Sequence, residues 1–247
     1  MWSLVLVLLA VLVGSSMQRV TGMGFALVAA PFLVLLLGPV DGVILVNLCS
    51  ALTAAIILTR VMRDVDWRRA GVLALFALVG IVPGAMILQY VPAAWLEISI
   101  GVLIAAGLTV SVNLGRVHIR DRRSLRAIAG ISSGFMNATA GVGGPAVSIY
   151  ALATNWSHRS FAATMQPYFL FIGLTSLGAK FASGSAKVPA LQSWVWLLVV
   201  VACIVGLILG EVLARIVKPH IARRLLLIVA YIGSVAAIVR GITQLVG

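Results

Sequence analysis

Two short stretches of this 247-residue sequence hold most of the side chains that could bind a small ligand. Gln18-Arg19-Val20-Thr21-Gly22-Met23-Gly24-Phe25 and Asn137-Ala138-Thr139-Ala140-Gly141-Val142-Gly143-Gly144-Pro145 each interrupt long apolar surroundings. After each break a helix is expected to begin, near Met23 and at Pro145, where the missing proline amide proton is no loss. A helix start presents unpaired N–H groups and the positive end of the helix dipole, and both favour an anion. Glycine at 22, 24, 141, 143 and 144 lets backbone approach a ligand without a Cβ in the way. Arg19 adds a permanent charge whose guanidinium fork fits an oxyanion. Gln18, Thr21, Asn137 and Thr139 add neutral hydrogen-bonding groups. Together these residues point to a small oxyanion cradled between two hairpin tips.

The two breaks are 119 residues apart, and the same offset pairs Asn47 with Gln166, two carboxamides in the middle of apolar spans. These join the expected substrate-binding set of Gln18, Arg19, Thr21, Gly22, Gly24, Asn137, Thr139, Gly141, Gly143, Gly144 and Pro145. Simpler roles compete. Asn47 and Gln166 also suit interhelical hydrogen bonding, and Arg19 also suits snorkelling to a headgroup or neutralising a carbonyl. With small slips in register, Gly80 and Gly84 answer Gly206 and Gly210, and Pro92 answers Pro219. Those four glycines read as close helix packing. The chain thus has the pattern of a duplicated unit.

The elements that must position these residues are membrane helices. The sequence is 62% hydrophobic and 10% charged, with a mean hydropathy of +1.16, which excludes a soluble globular domain. Its formal charge of +12 is spread in short clusters between apolar runs, a topology signal rather than a nucleic-acid surface. Recruitment of anionic lipid is a secondary possibility for those clusters. Cys49 and Cys203 lie within apolar runs and encode neither a disulfide framework nor a metal site. No cofactor is expected. The first sixteen residues lack a preceding Lys or Arg and read as a retained segment, not a signal peptide.

Six apolar runs are long enough to cross a bilayer whole: Gly42–Thr59, Ala70–Gln89, Ala94–Asn113, Phe161–Ala179, Leu191–Ala214 and Leu225–Leu245. Trp2–Ser16 and Met23–Leu37, of about 15 residues or about 22 Å each, are too short to span singly. Leu125–Asn137 and Pro145–Asn155 are shorter still. Simple counting gives roughly seven to eight hydrophobic spans.

Basic loops stay on the cytoplasmic side. The clusters Arg60/Arg63/Arg68/Arg69, Arg116/Arg120/Arg122/Arg123/Arg126 and Arg215/Lys218/Arg223/Arg224 all fall there only if Leu125–Asn155 enters and leaves on one face. That leaves Lys180, Lys187 and the turn Tyr90–Trp95 outside, and repeat symmetry makes Trp2–Leu37 a hairpin entering from outside. The expected fold is an all-α polytopic membrane protein of two inverted repeats, about residues 1–115 and 120–247. Each would hold a broken, re-entrant helical hairpin plus three transmembrane helices, an architecture associated with alternating access around a midplane site. Asp41, Asp64, Asp66 and Asp121 are expected in loops, Glu97 near a span start and Glu211 near a span end as an i,i+4 partner of Arg215. A carboxylate proton relay has little support in that distribution. His118, His158 and His220 read as solvated loop residues.

Gln18-x-x-Thr21-Gly22-x-Gly24-Phe25 with Pro31, and Gly141-Val142-Gly143-Gly144-Pro145 before an apolar helix, resemble the TauE/SafE (sulfite exporter) family of membrane permeases. The likeness covers essentially the whole chain, including the glycine pairs. It implies export, or less often uptake, of small sulfur-containing anions such as sulfite, sulfoacetate or another organosulfonate across a bacterial plasma membrane. Thiosulfate-importing relatives are expected to carry cysteines near the hairpin tips, where this sequence has none. The expected partners are a small anionic substrate and the lipid bilayer, with no nucleic acid and no particular oligomeric state implied. The competing readings are a passive anion channel and a non-transporting membrane subunit. An intramembrane hydrolase is disfavoured, since no His or Asp lies near a buried Ser and no metal-ligand cluster appears.

Overall fold

The computed structural model describes residues 2–88, 90–113, 119–184, 186–187, 189, 192–217 and 219–246. Arg116, His118, Lys218 and the repeat boundary at 115 lie outside the described residues, as do the side chains of His220 and Arg223. The described residues form ten α-helices and one short 3₁₀ turn, with no strand among them.

Glycine and proline set the boundaries. Helix α1 (Trp2–Thr21) stops at Gly22, whose φ of +84° suits a residue without a Cβ. After Met23, α2 (Gly24–Leu37) runs to Gly38, and Pro39 opens α3 (Pro39–Val61). The Asp66 side chain accepts a hydrogen bond from the Arg69 amide at 3.0 Å and caps α4 (Trp67–Ile87). Next come α5 (Ala93–Asn113) and α6 (Arg123–Ala140), the latter ended by Gly141 at φ +72°. The chain finishes with α7 (Gly144–Ala153), α8 (His158–Ala182), α9 (Ser193–Ile216) and α10 (Pro219–Val246).

Among the described residues six helices are long and apolar enough to cross a membrane: α1, α3 with its 3₁₀ extension, α4, α5, α9 and α10. This number does not confirm the seven to eight of simple counting. The structure corrects the expectation for the first arm, which does not stop at Ser16. Nothing in Met17–Thr21 prevents a helix, so α1 extends to 20 residues, about 30 Å, and ends only where Gly22 supplies a left-handed residue. Helix α8 has 25 residues and sufficient length, but it carries Gln166 and Lys180 on buried positions and packs against α3 and α4. Its polar content is shielded by protein, so low hydropathy is tolerated. Asp41 lies in the first turn of α3, not in a loop.

The outer faces of α9 and α10 expose Leu197, Ile208, Ile228 and Ile232 among many large apolar side chains, whereas Asn47, Thr53 and Gln166 are buried. Apolar residues outside and polar ones inside describe a chain whose solvent is lipid. The protein is a multi-pass membrane protein.

The hairpin arms pack on the glycine-bearing helices of the opposite half, α1 on α9 and α6 on α4. A Cβ at Gly206 would meet the Leu12 carbonyl oxygen at 2.5 Å, and one at Gly210 the Ser16 carbonyl oxygen at 2.6 Å. On the other side a Cβ at Gly80 would strike the Ile131 carbonyl oxygen, and one at Gly84 the Ala138 Cβ at 2.8 Å. Leu12 and Ile131 are again 119 residues apart, so the two seams use matching positions.

Candidate functional site

Both breaks are tighter than the sequence suggests. Gln18, Arg19 and Thr21 belong to the last turns of α1, and Asn137 and Thr139 to the end of α6; the non-helical backbone is confined to Gly22–Met23 and Gly141–Gly143. In each, the glycine amide bonds back to the carbonyl of the residue four earlier, Gly22 to Gln18 at 2.8 Å and Gly141 to Asn137 at 2.9 Å. The next helices start at Gly24 and Gly144, close to the expected starts, and neither start has a side-chain cap. Their first N–H groups therefore face the interior without a side-chain acceptor.

The Gly22 break seats against α8, where a Cβ would lie 2.6 Å from the Ala162 Cβ; the Gly141 break seats against α3, 3.0 Å from Val46 Cγ1. Gln166 closes the first of these. Its Nε2 donates to the Gly22 carbonyl at 2.9 Å and the Ala162 carbonyl at 2.8 Å, and its Oε1 accepts from Gln18 Nε2 at 3.4 Å. Thr53 on α3 donates to Gln18 Oε1 at 3.0 Å. Thr53 carries no signal in the sequence, since at six residues from Asn47 it lies roughly 120° around α3 from it.

At the second break the residues in matching positions are Asn137 and Asn47, each one methylene shorter. Asn47 donates to Ser176 Oγ at 3.5 Å, but Asn47 Oδ1 and Asn137 Oδ1 are buried without a hydrogen-bond partner. Ser133, also unforeseen, donates to the Gly143 carbonyl at 2.8 Å and stiffens the turn. A Cβ at Gly144 would have only Met23 Sδ and Phe169 Cζ near it, at 3.8 and 3.9 Å, so space remains in front of α7. Ser148 links the halves, donating to the Gly144 carbonyl at 2.7 Å and approaching Met23 Sδ at 2.9 Å.

A cavity of about 570 Å³ reaches both breaks; Thr21, Met23, Pro145, Ser148, Trp156 and His158 are among its lining residues. The hydroxyls of Thr21 and Thr139 are each engaged with a carbonyl of their own helix, Met17 and Phe135, at 2.8 Å.

Arg19 is placed differently from the rest of the expected set. Its guanidinium pairs with Glu211 at 2.5–2.6 Å, and Arg60 and Arg215 lie 3.5 and 3.6 Å from the same carboxylate. Glu211 does meet Arg215, as expected, but its shortest pairing is to α1. A second ion-pair hub stands outside the spanning segments, where Asp121 accepts from Arg126 at 2.5 Å and from Tyr150 at 2.9 Å, with Arg69 at 3.3 Å. The Arg126 guanidinium, helped by Tyr150 and Arg69 and opposed by burial, holds the Asp121 carboxyl below its ordinary range. Lys180, expected on the outside of the membrane, is fully buried within the protein.

No group of three or more metal-ligating side chains occurs among the described residues. The arrangement offers uncapped helix starts, a cavity that reaches both breaks, and buried carboxamides on the neighbouring helices. Of these groups the uncapped helix starts are the ones that favour an anion. Among known families, the model for Sulfite exporter TauE/SafE matches residues 6–237. No curated protein and no solved structure matches the chain.

Proposed function

Because the chain belongs to the Sulfite exporter TauE/SafE family, we propose that it carries a small sulfur-containing anion, such as sulfite, sulfoacetate or another organosulfonate, outward across a bacterial plasma membrane. The substrate sits between the two hairpin tips. It is held by the uncapped starts of α2 and α7, by Gly22, Gly24, Gly141, Gly143, Gly144 and Pro145, and by the carboxamides of Gln18, Asn47, Asn137 and Gln166. Thr21 and Thr139 border the site. Arg19, held by Glu211, supplies field from its edge without a direct contact.

The observation that carries this reading is the pair of left-handed glycines, Gly22 and Gly141, that end opposing helices inside the protein and leave uncapped helix starts beyond them. Their 119-residue spacing, repeated in the α1–α9 and α4–α6 seams, supports two repeats inverted in the membrane, about residues 1–115 and 120–247. Rocking of one repeat against the other would then expose the site alternately to each side. In the present conformation the cavity that includes Trp156 and His158 is the open approach.

Thermal stability of the purified protein with sulfite, sulfoacetate, taurine, sulfate, thiosulfate and acetate tests the assignment. One or more sulfur anions should raise the midpoint while acetate does not. A response to acetate alone, or to none of the sulfur compounds, would remove the sulfur assignment.

A further inference from the structure

Helix α8 carries a second polar cluster, away from the Gly22 break and adjoining the Gly141 break through Asn47. At Gly173 the helix packs on α3, where a Cβ would be in ordinary contact with the Asn47 carbonyl oxygen at 3.4 Å and Ala51 Cβ at 3.6 Å. Ser176, fully buried, accepts from Asn47 Nδ2 at 3.5 Å. One turn further on is Lys180, 0% exposed, with no hydrogen-bond partner for its Nζ. Among the described residues no carboxylate lies within 4.0 Å of that ammonium.

A lysine near a helix C-terminus at a membrane surface ordinarily snorkels its head into water. Lys180 instead points into protein, where a charge without a partner carries a large desolvation cost. An intramembrane ionisable side chain in that state marks a substrate path. The same cluster holds an unpaired acceptor, Asn47 Oδ1. An unpaired cationic donor and an unpaired neutral acceptor, bridged by a hydroxyl, complement an oxyanion that still carries a hydrogen. From Gln166 to Lys180 the helix rises about 21 Å, so this cluster stands at a different depth from the Gly22 break. It also lies toward the opposite end of α8 from the cavity residue His158.

We propose that Lys180, Ser176 and Asn47 form a second anion site on the α3–α8 seam, taking a small monoprotonated oxyanion such as hydrogensulfite. The ammonium and the serine hydroxyl donate to the anion's oxygens, and Asn47 Oδ1 accepts its hydrogen. The site is the next station for an anion leaving the hairpin tips, and in that respect it rests on the transport reading.

Calorimetric titration of the purified protein with sodium sulfite, sodium sulfate, sodium chloride and sodium hydrogencarbonate tests it, on wild type, Lys180→Met, Lys180→Arg and Ser176→Ala. The unliganded melting temperature of each is also measured. Lys180→Met should bind the wild type's anion roughly tenfold or more weakly, the size of a lost charge-assisted hydrogen bond. It should nevertheless melt no lower without ligand, because an apolar chain of similar length replaces an uncompensated charge. Lys180→Arg should restore part of the affinity, and Ser176→Ala should weaken it several-fold. If Lys180→Met does not fold, the Ser176→Ala and Lys180→Arg titrations decide. Equal sulfite binding by wild type and Lys180→Met overturns this site and leaves the sulfur assignment standing. Binding of hydrogencarbonate in place of sulfite, lost in Lys180→Met, supports the site and removes that assignment, whereas binding of chloride alone overturns the site. A wild type that binds none of the four overturns the site.

Discussion

At the Gly22 break the carboxamides of Gln18 and Gln166 are engaged with each other, with Thr53 and with backbone carbonyls, whereas at the Gly141 break Asn137 and Asn47 keep buried oxygens unpaired. The backbone is alike in the two places: a left-handed glycine, a bond back to the fourth residue before it, and an uncapped helix beyond. The difference is one methylene in each of two side chains. Glutamine reaches across the seam and closes it, while asparagine falls short and leaves acceptors that suit only an anion still carrying a hydrogen. On the proposed transport reading, the first break mainly holds the halves together and the second mainly selects what binds between them.

Valine substitutions at the two glycines test the shared backbone and should have the largest effects. Each forces a left-handed residue with a branched Cβ, a strain of about 1–2 kcal/mol, before any clash. Gly22→Val adds contacts at 2.6 and 3.1 Å with Ala162 atoms, while Gly141→Val meets a movable Val46 methyl at 3.0 Å. Gly22→Val should therefore yield little monodisperse protein by size-exclusion chromatography, and Gly141→Val more. The reverse order would break the division of roles.

Leucine at the two carboxamide positions separates holding from selecting. Gln166→Leu strands Gln18 and the Gly22 carbonyl and should cost about 2–3 kcal/mol, read as a lowered unfolding midpoint. Asn47→Leu gives up one long bond, so stability should change by less than about 1 kcal/mol, and it removes the Nδ2 donor and the Oδ1 that would accept the hydrogen of a protonated anion. Its anion affinity should fall by roughly tenfold. Equal losses of stability in the two variants would erase the distinction.

The ion pairs should matter less. Glu211→Gln releases Arg19 from a half-exposed pair and should lower the melting temperature slightly while changing anion affinity by no more than about twofold. A large gain in affinity would make Arg19 a direct ligand and shift weight back to the first break. The smallest effect concerns acid. Asp121 has a folded-state value below its unfolded one, so the stability it contributes is fully present above the ordinary carboxylate value and is lost as pH falls through the folded value. Melting of the wild type between pH 6 and pH 3 should steepen on the acid side relative to Asp121→Asn.

Much of this arrangement was legible in the sequence because it depends on local chemistry. Glycines that need a left-handed conformation mark the breaks, and a fixed offset pairs Gln18 with Asn137 and Asn47 with Gln166. Where polar residues begin is not where a helix ends, however, and the length of α1 was misread for that reason. Arg19 was read by its type alone; its partner lies 192 residues away, and no local pattern announces that contact. The charge distribution speaks to which side of the membrane Lys180 lies on and not to whether its side chain is buried. Its burial is decided by the packing of α8 on α3, to which Gly173, Ser176 and Lys180 were a faint clue at helical spacing.

The most direct test of the central claim is flux of radiolabelled sulfite in proteoliposomes containing wild type, Asn47→Leu or Gln166→Leu. Saturable sulfite exchange by wild type, reduced at least tenfold in Asn47→Leu protein that is still folded, is the predicted result. Wild-type vesicles no more permeable to sulfite than empty ones, or undiminished exchange by Asn47→Leu, would contradict an anion carrier whose selectivity resides at the second break.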